Sequence, residues 1–244
     1  VKNTQKKLQF NDWLRQSLRF VRLRPWVWLG YCLFVGLILV VGKISLALGV
    51  FSAVTCLLVG VGVAKYIDMQ CFSANPVGFY RAIHKSLPLA ILGAACIVAC
   101  WFVFMLTASL LSGEYYKIGE FFFNWELTPQ NLRREPLREV ASWLYAYANV
   151  TLIFTLLMLA TFAGWFSHAL MLFQGRRWSE AKAQSGRAVA KNQSAIYKML
   201  GFIFAEAILC TTVTPLLTPI LYMLVSTTMY VSYKNLFEEA EAED

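Results

Sequence analysis

Long apolar runs separated by short basic stretches organise this chain. The first run covers about 26–41 and the second about 44–64, with Gly42 and Lys43 as a tight turn between them. A third covers about 87–111, and Pro88 falls in its first turn, where a proline costs little. From Pro136 a helical pattern continues to Phe173, which predicts a fourth span at about 140–173. At 1.5 Å per residue that helix exceeds a ~30 Å hydrocarbon core, so it projects or tilts. The last apolar run, Met199 to Tyr233, is too long for one crossing. Pro215, Thr218 and Pro219 divide it into spans at about 199–214 and 219–233. Most of these runs come near the ~20 residues a bilayer requires. The pattern predicts an all-α polytopic membrane protein of six transmembrane helices in three pseudo-repeated helix-plus-hairpin units, with amphipathic interfacial helices.

The interfacial helices are read from the polar stretches. In residues 1–25, Phe10, Trp13, Leu14, Leu18, Phe20 and Val21 fall on one side of a helix. Arg15, Arg19 and Arg22 fall on the other. Such a helix lies along a membrane with its rings in the acyl boundary and its guanidiniums among phosphates. The segment 13–25 aligns over 181–193: Gln16 and Ser17 match Gln184 and Ser185, and Val21 matches Val189. Residues 79–88 are a weaker third copy, read as a short interfacial helix, and each copy precedes a hairpin. The chain thus divides into an interfacial helix at 1–25, one membrane domain at 26–237 with a polar loop at 113–139, and an acidic tail at 238–244.

Composition strengthens this picture. Of 244 residues, 58% are apolar and only 15% charged, against about 25% charged in a soluble domain. The net charge of +8 does not point to nucleic acid, because the basic residues cluster at the ends of apolar runs. Lipid headgroups are the anions they suit. Residues 1–25 carry +6, residues 65–86 +2 and residues 174–198 +5, whereas 113–139 carries −1. The excess of Lys and Arg predicts a bacterial inner (cytoplasmic) membrane protein with both termini cytoplasmic and the 113–139 loop outside. The long basic N-terminal segment, with no small-residue cleavage site after the first span, does not read as a cleavable signal.

The W-x3-S-x7-P-xx-WL pattern at Trp13, Ser17, Pro25, Trp28 and Leu29 supports a family resemblance. So do ATFAGWFSHALMLF at 160–173, the A-x3-S-x6-N pattern at Ala181, Ser185 and Asn192, and VSYKNLF at 231–237. On these residues the chain resembles an uncharacterised family of proteobacterial inner-membrane proteins. These are distantly similar to YciC-type proteins and to the membrane domain of some glycerophosphodiester phosphodiesterases. The resemblance covers most of the chain outside 113–139. It implies a six-span fold and carries over no catalytic residue.

Candidate chemistry is sparse. No phosphate-loop, dinucleotide, metalloprotease or nucleophile-elbow pattern is present. None of the six cysteines forms a CxxC pair, so neither a disulfide framework nor a zinc site is indicated. No catalytic, metal or cofactor residue is predicted. His168 and Glu206 lie within predicted spans, Glu206 as the only acidic residue there, and an intramembrane ionisable group is a functional candidate. The two are expected to form a buried polar pair. Trp143, Tyr145 and Tyr147 are expected to mark the interface where the fourth span enters. Six aromatics crowd the outer loop: Tyr115, Tyr116, Phe121, Phe122, Phe123 and Trp125. They are the expected partner interface, since aromatic rings dominate binding hot spots. The function expected is a non-enzymatic accessory or scaffold subunit that packs against a larger membrane protein complex. The alternative is a transporter of small solutes or lipids with a cavity near Glu206.

Overall fold

The computed structural model describes residues 10–72, 79–124 and 137–238, apart from the side chains at 81, 82, 85, 137–144, 163 and 238. Among the described residues the chain is helical throughout and contains six helical stretches long and apolar enough to cross a membrane. It is an all-α polytopic membrane protein.

Helix α1 (Phe10–Val21) leads into α2 (Pro25–Ile38), whose proline occupies the first turn. A 3₁₀ turn at Leu39–Lys43 connects α2 to α3 (Leu46–Phe72). Helix α4 (Phe79–Ser112) is followed by the short α5 (Tyr116–Phe122). Then come α6 (Leu137–Met158), α7 (Ser167–Gln174) and α8 (Trp178–Lys191). Helices α9 (Gln193–Thr212) and α10 (Thr218–Tyr233) form the last hairpin around a 3₁₀ turn at Pro215–Leu217.

Helices α4 and α6 differ from the sequence expectation. Residues 79–86 are not a separate interfacial helix; they are the first turns of α4, which runs unbroken past Pro88. The fourth span does not continue to Phe173. Helix α6 loosens into a π-helical turn at Leu159–Ala163 and stops at Gly164, whose φ of +89° excludes an ordinary side chain. The break is closed locally: the Phe166 N–H donates to Ser185 Oγ of α8 at 2.8 Å, and the Ser167 N–H to the Gly164 carbonyl. A Cβ at position 164 would meet Ser167 Oγ and the Ser185 side chain.

The packing follows a rotation. In each hairpin the second helix is the more buried: 61% against 22% for α3 and α2, 39% against 11% for α6 and α4, and 72% against 33% for α10 and α9. The outer helix of each hairpin leans on the inner helix of the hairpin before it. Helix α4 packs on α3, α9 on α6, and α2 closes the ring on α10. Helix α3 touches both α6 and α10.

Polar side chains tie the helices together. Tyr31 Oη donates to the Cys56 carbonyl, and Ser226 Oγ to the Leu57 carbonyl. Tyr222 Oη donates to the Ala148 carbonyl, and Asn149 Nδ2 to Thr211 Oγ1 and Thr218 Oγ1. Tyr145 and Tyr147 do not form an interfacial belt. Their hydroxyls donate to the Gly36 and Leu39 carbonyls, tying α6 to α2 and its turn. The Tyr147 ring lies where a Cβ on Gly42 or Gly49 would fall. Trp143 has no described side chain.

Candidate functional site

Two places gather chemistry. At the end of the bundle where α1, α3, α8 and α10 finish or begin, a charged cluster is buried. At the opposite end, where the hairpins turn, an aromatic platform is exposed.

The charged cluster centres on Asp68, in the last turns of α3 and only 7% exposed. Its carboxylate accepts from Tyr230 Oη at 2.8 Å and pairs with Lys234 Nζ at 2.7 Å. Lys234 also sits over the Phe72 ring, and Lys65 over the Phe173 and Tyr230 rings. A carboxylate withdrawn from water is tolerable only with such partners. The hydropathy pattern ends the second span near Ala64, which leaves Glu206 as the one expected intramembrane acid. Helix α3 instead carries Asp68 inside. The signal available was Ile67 beside Asp68, an apolar position continuing beyond Lys65, and a matching lysine in VSYKNLF.

Helix α1 seals this end. Its buried positions are Trp13, Ser17 and Phe20. Phe20 meets Tyr230 with ring centroids 5.7 Å apart, Phe10 meets Phe202 at 5.6 Å, and Asn235 Nδ2 donates to Gln16 Oε1. The rings expected in the acyl boundary are therefore docked on protein, and Leu18, expected beside them, is half exposed. Arg15, Arg19 and Arg22 are exposed. The aligned segment α8 buries Ala181 and Ser185, the counterparts of Trp13 and Ser17, in the same register.

The expected Glu206–His168 pair does not form. His168 is buried in α7; one ring nitrogen meets the Leu58 backbone and Nε2 has no hydrogen-bond partner. Burial pushes its pKa down to about 4, partly opposed by the Leu58 contact. Glu206 is half-buried beside the stripe Ile203, Ala207 and Cys210 of α9. The break at Gly164 is the reason: it re-aims α7 toward α3, so depth counted along one continuous helix no longer applies.

The aromatic platform is α5. Phe121 is not available to a partner: it is 1% exposed and packs on Phe102, with centroids 5.7 Å apart. Phe122 also meets Phe102 while remaining 55% exposed. Tyr115, Tyr116 and Phe123 are exposed. Trp125 lies outside the described residues. The Asn124 N–H donates to the Ile44 carbonyl and fixes the end of the platform to the α2–α3 turn. The Glu114–Lys117 ion pair stands at its start and holds the Glu114 carboxyl below its usual range.

These features define a multi-pass membrane protein with a sealed polar end and an aromatic end. The chain matches no protein-family model, no curated protein and no solved structure.

Proposed function

We propose that this protein is a non-enzymatic accessory or scaffold subunit that seats on a larger membrane protein complex through α5. The observation that carries this reading is the build of the platform: Phe121 anchors it to the bundle, while Tyr115, Tyr116, Phe122 and Phe123 stand outward on a pinned backbone. Rigid exposed aromatics offer large contact area at little ordering cost. The charge distribution supports an orientation with both termini cytoplasmic and the platform outside, in the inner membrane of a bacterium. The YciC-type resemblance agrees with this setting. Arg15, Arg19 and Arg22 then face anionic headgroups on the cytoplasmic side.

The test is site-specific photocrosslinking in native membranes, with the probe at Tyr116 and, for comparison, at Leu92 on the lipid-facing side of α4. The expected result is a discrete protein adduct from position 116 and lipid adducts from position 92. Replacing Tyr115, Phe122 and Phe123 with Ser should then remove the protein adduct. Lipid adducts alone from both positions would make the platform an interfacial belt and overturn the proposal.

A further inference from the structure

A pocket of about 430 Å³ opens beside the platform, between the α2–α3 turn, α4 and α5. Its size is within the ~300–1,000 Å³ of ligand sites. Leu46, Met105 and Phe121 supply an apolar floor, and Lys117, Glu120 and Asn124 a polar rim. We infer that this pocket binds a zwitterionic phospholipid headgroup bearing a primary amine, that of phosphatidylethanolamine. The inference does not depend on the subunit reading, since the exposed platform rings are not needed to line the pocket.

The rim charges select the headgroup. Lys117 supplies one ammonium and Glu120 one carboxylate, and Lys117 also pairs with Glu114, which does not line the pocket. The Glu114–Lys117 pair is about 40% exposed on each side, so it is weakly held and Lys117 can also serve a phosphate. Glu120 accepts no hydrogen bond among the described residues; its charge is felt at Lys117. A purely anionic headgroup would face the Glu120 carboxylate, and a purely cationic one would face Lys117. A phosphate and an ammonium a few ångströms apart on one molecule satisfy both signs. A quaternary ammonium wants several aromatic faces around it, and among the described residues the lining contains one aromatic ring, Phe121. A primary amine, with three N–H donors, suits Glu120 better.

The remainder of the lipid also has a place. From the pocket residue Met105 into the membrane, Phe104, Val103 and Leu92 of α4 are 62%, 60% and 60% exposed. This uncovered side of α4 is a wall along which acyl chains run once the headgroup is seated. The apolar floor takes the glycerol and ester carbons, which a free headgroup lacks.

The experiment uses the full chain in mild detergent. The protein is incubated with equal mole fractions of phosphatidylethanolamine, phosphatidylcholine or phosphatidylglycerol, and retained lipid is counted by native mass spectrometry. Phosphatidylethanolamine should be retained about 5-fold over phosphatidylcholine, and Glu120→Gln should abolish that preference, as loss of one charged hydrogen bond implies. Lys117→Gln should lower retention of both zwitterionic lipids, and Glu206→Gln, on α9, should leave the preference intact. A photoreactive phosphatidylethanolamine in wild-type membranes should label 116–122, a readout that does not depend on a variant folding. Equal retention of the amine and choline lipids would overturn the proposal. So would preferred retention of phosphatidylglycerol, an unchanged preference in Glu120→Gln, or displacement of the lipid by millimolar soluble phosphoethanolamine.

Discussion

Helices α4 and α10 invert the rule that holds in water. The α4 span is the most hydrophobic of the six and has 11% of its most apolar stretch buried; the α10 span is the least hydrophobic and has 72% buried. On α10, Thr218, Ser226, Thr227, Thr228 and Ser232 are all buried. Their hydroxyls cost little there because each has an acceptor or a donor at hand: Thr227 and Thr228 bond to carbonyls of their own helix, and Ser226 reaches α3. Lipid tails are as apolar as leucine, so burying leucine against protein gains little in a membrane. Small polar residues that let backbones approach gain more. Helix α4 obeys the same logic from outside. Among its described side chains only Ser86, Ala90, Ala94 and Ile97 on one stripe, and Ser109, are buried, while Leu92, Val103, Phe104 and Leu111 face outward.

The largest effect expected from this contrast is at Gly60. A Cβ there would collide with Ser226 Oγ and come within 2.5 Å of Tyr31 Oη, where α2, α3 and α10 meet. Gly60→Leu should cost more than about 3 kcal/mol and abolish recovery of monodisperse protein, as overpacking of a fixed backbone contact implies. Normal size-exclusion behaviour of that variant would mean the three helices separate freely.

The next effect lies at the charged cluster that closes the covered side. Asp68→Ala leaves the Lys234 ammonium beside Tyr230 and Phe72 without its counter-charge. The side chain of Lys234 is 31% exposed and can partly escape, so the loss should be about 2–3 kcal/mol, at the low end for a broken buried pair. Adding Lys234→Met to Asp68→Ala should recover much of it in a double-mutant cycle of thermal unfolding. Strictly additive losses would show the pair is not coupled.

His168 gives a smaller, titratable effect. Its folded pKa of about 4 lies below the ordinary 6.5, so the unfolded chain takes up the proton first. The neutral ring's contribution is complete above pH 6.5 and is lost as pH falls from 6.5 toward 4. Stability in detergent should drop by about 2 kcal/mol between pH 7 and pH 5, and His168→Gln should flatten that slope. An unchanged slope would assign the pH dependence to other groups.

The smallest effect belongs to the uncovered helix. Leu92→Ala or Val103→Ala on α4 should change stability by no more than about 0.5 kcal/mol in nanodiscs, as for a surface position. A loss of several times that would show that this face is packed against protein in the membrane rather than against lipid.

Periodicity and charge were enough to read the number of crossings, the tight turns at Gly42 and Pro215, and the kinship of residues 13–25 with 181–193. Those properties are local. A span is recognised by its length of apolar side chains, a turn by proline or glycine, and a repeat by residues that keep the same buried register. Trp13 and Ser17 do keep it with Ala181 and Ser185. Which helix leans on which is not local. Both sides of α4 are largely apolar, so hydropathy does not distinguish the side that meets α3 from the side that meets lipid. Contact depends on the size of facing residues, such as Ala90 and Ala94 against Leu58, or Gly60 against Ser226. Sequence distance from a helix end placed His168 beside Glu206; Gly164 broke that count and turned the ring toward Leu58. The crowded aromatics of 113–125 were visible as a cluster, but only the packing against Phe102 separated Phe121, the anchor, from the rings left exposed. Asp68 became a buried charge only when α10 brought Tyr230 and Lys234 across to it, because a carboxylate stays inside a membrane protein only where distant parts of the chain supply its counter-charge.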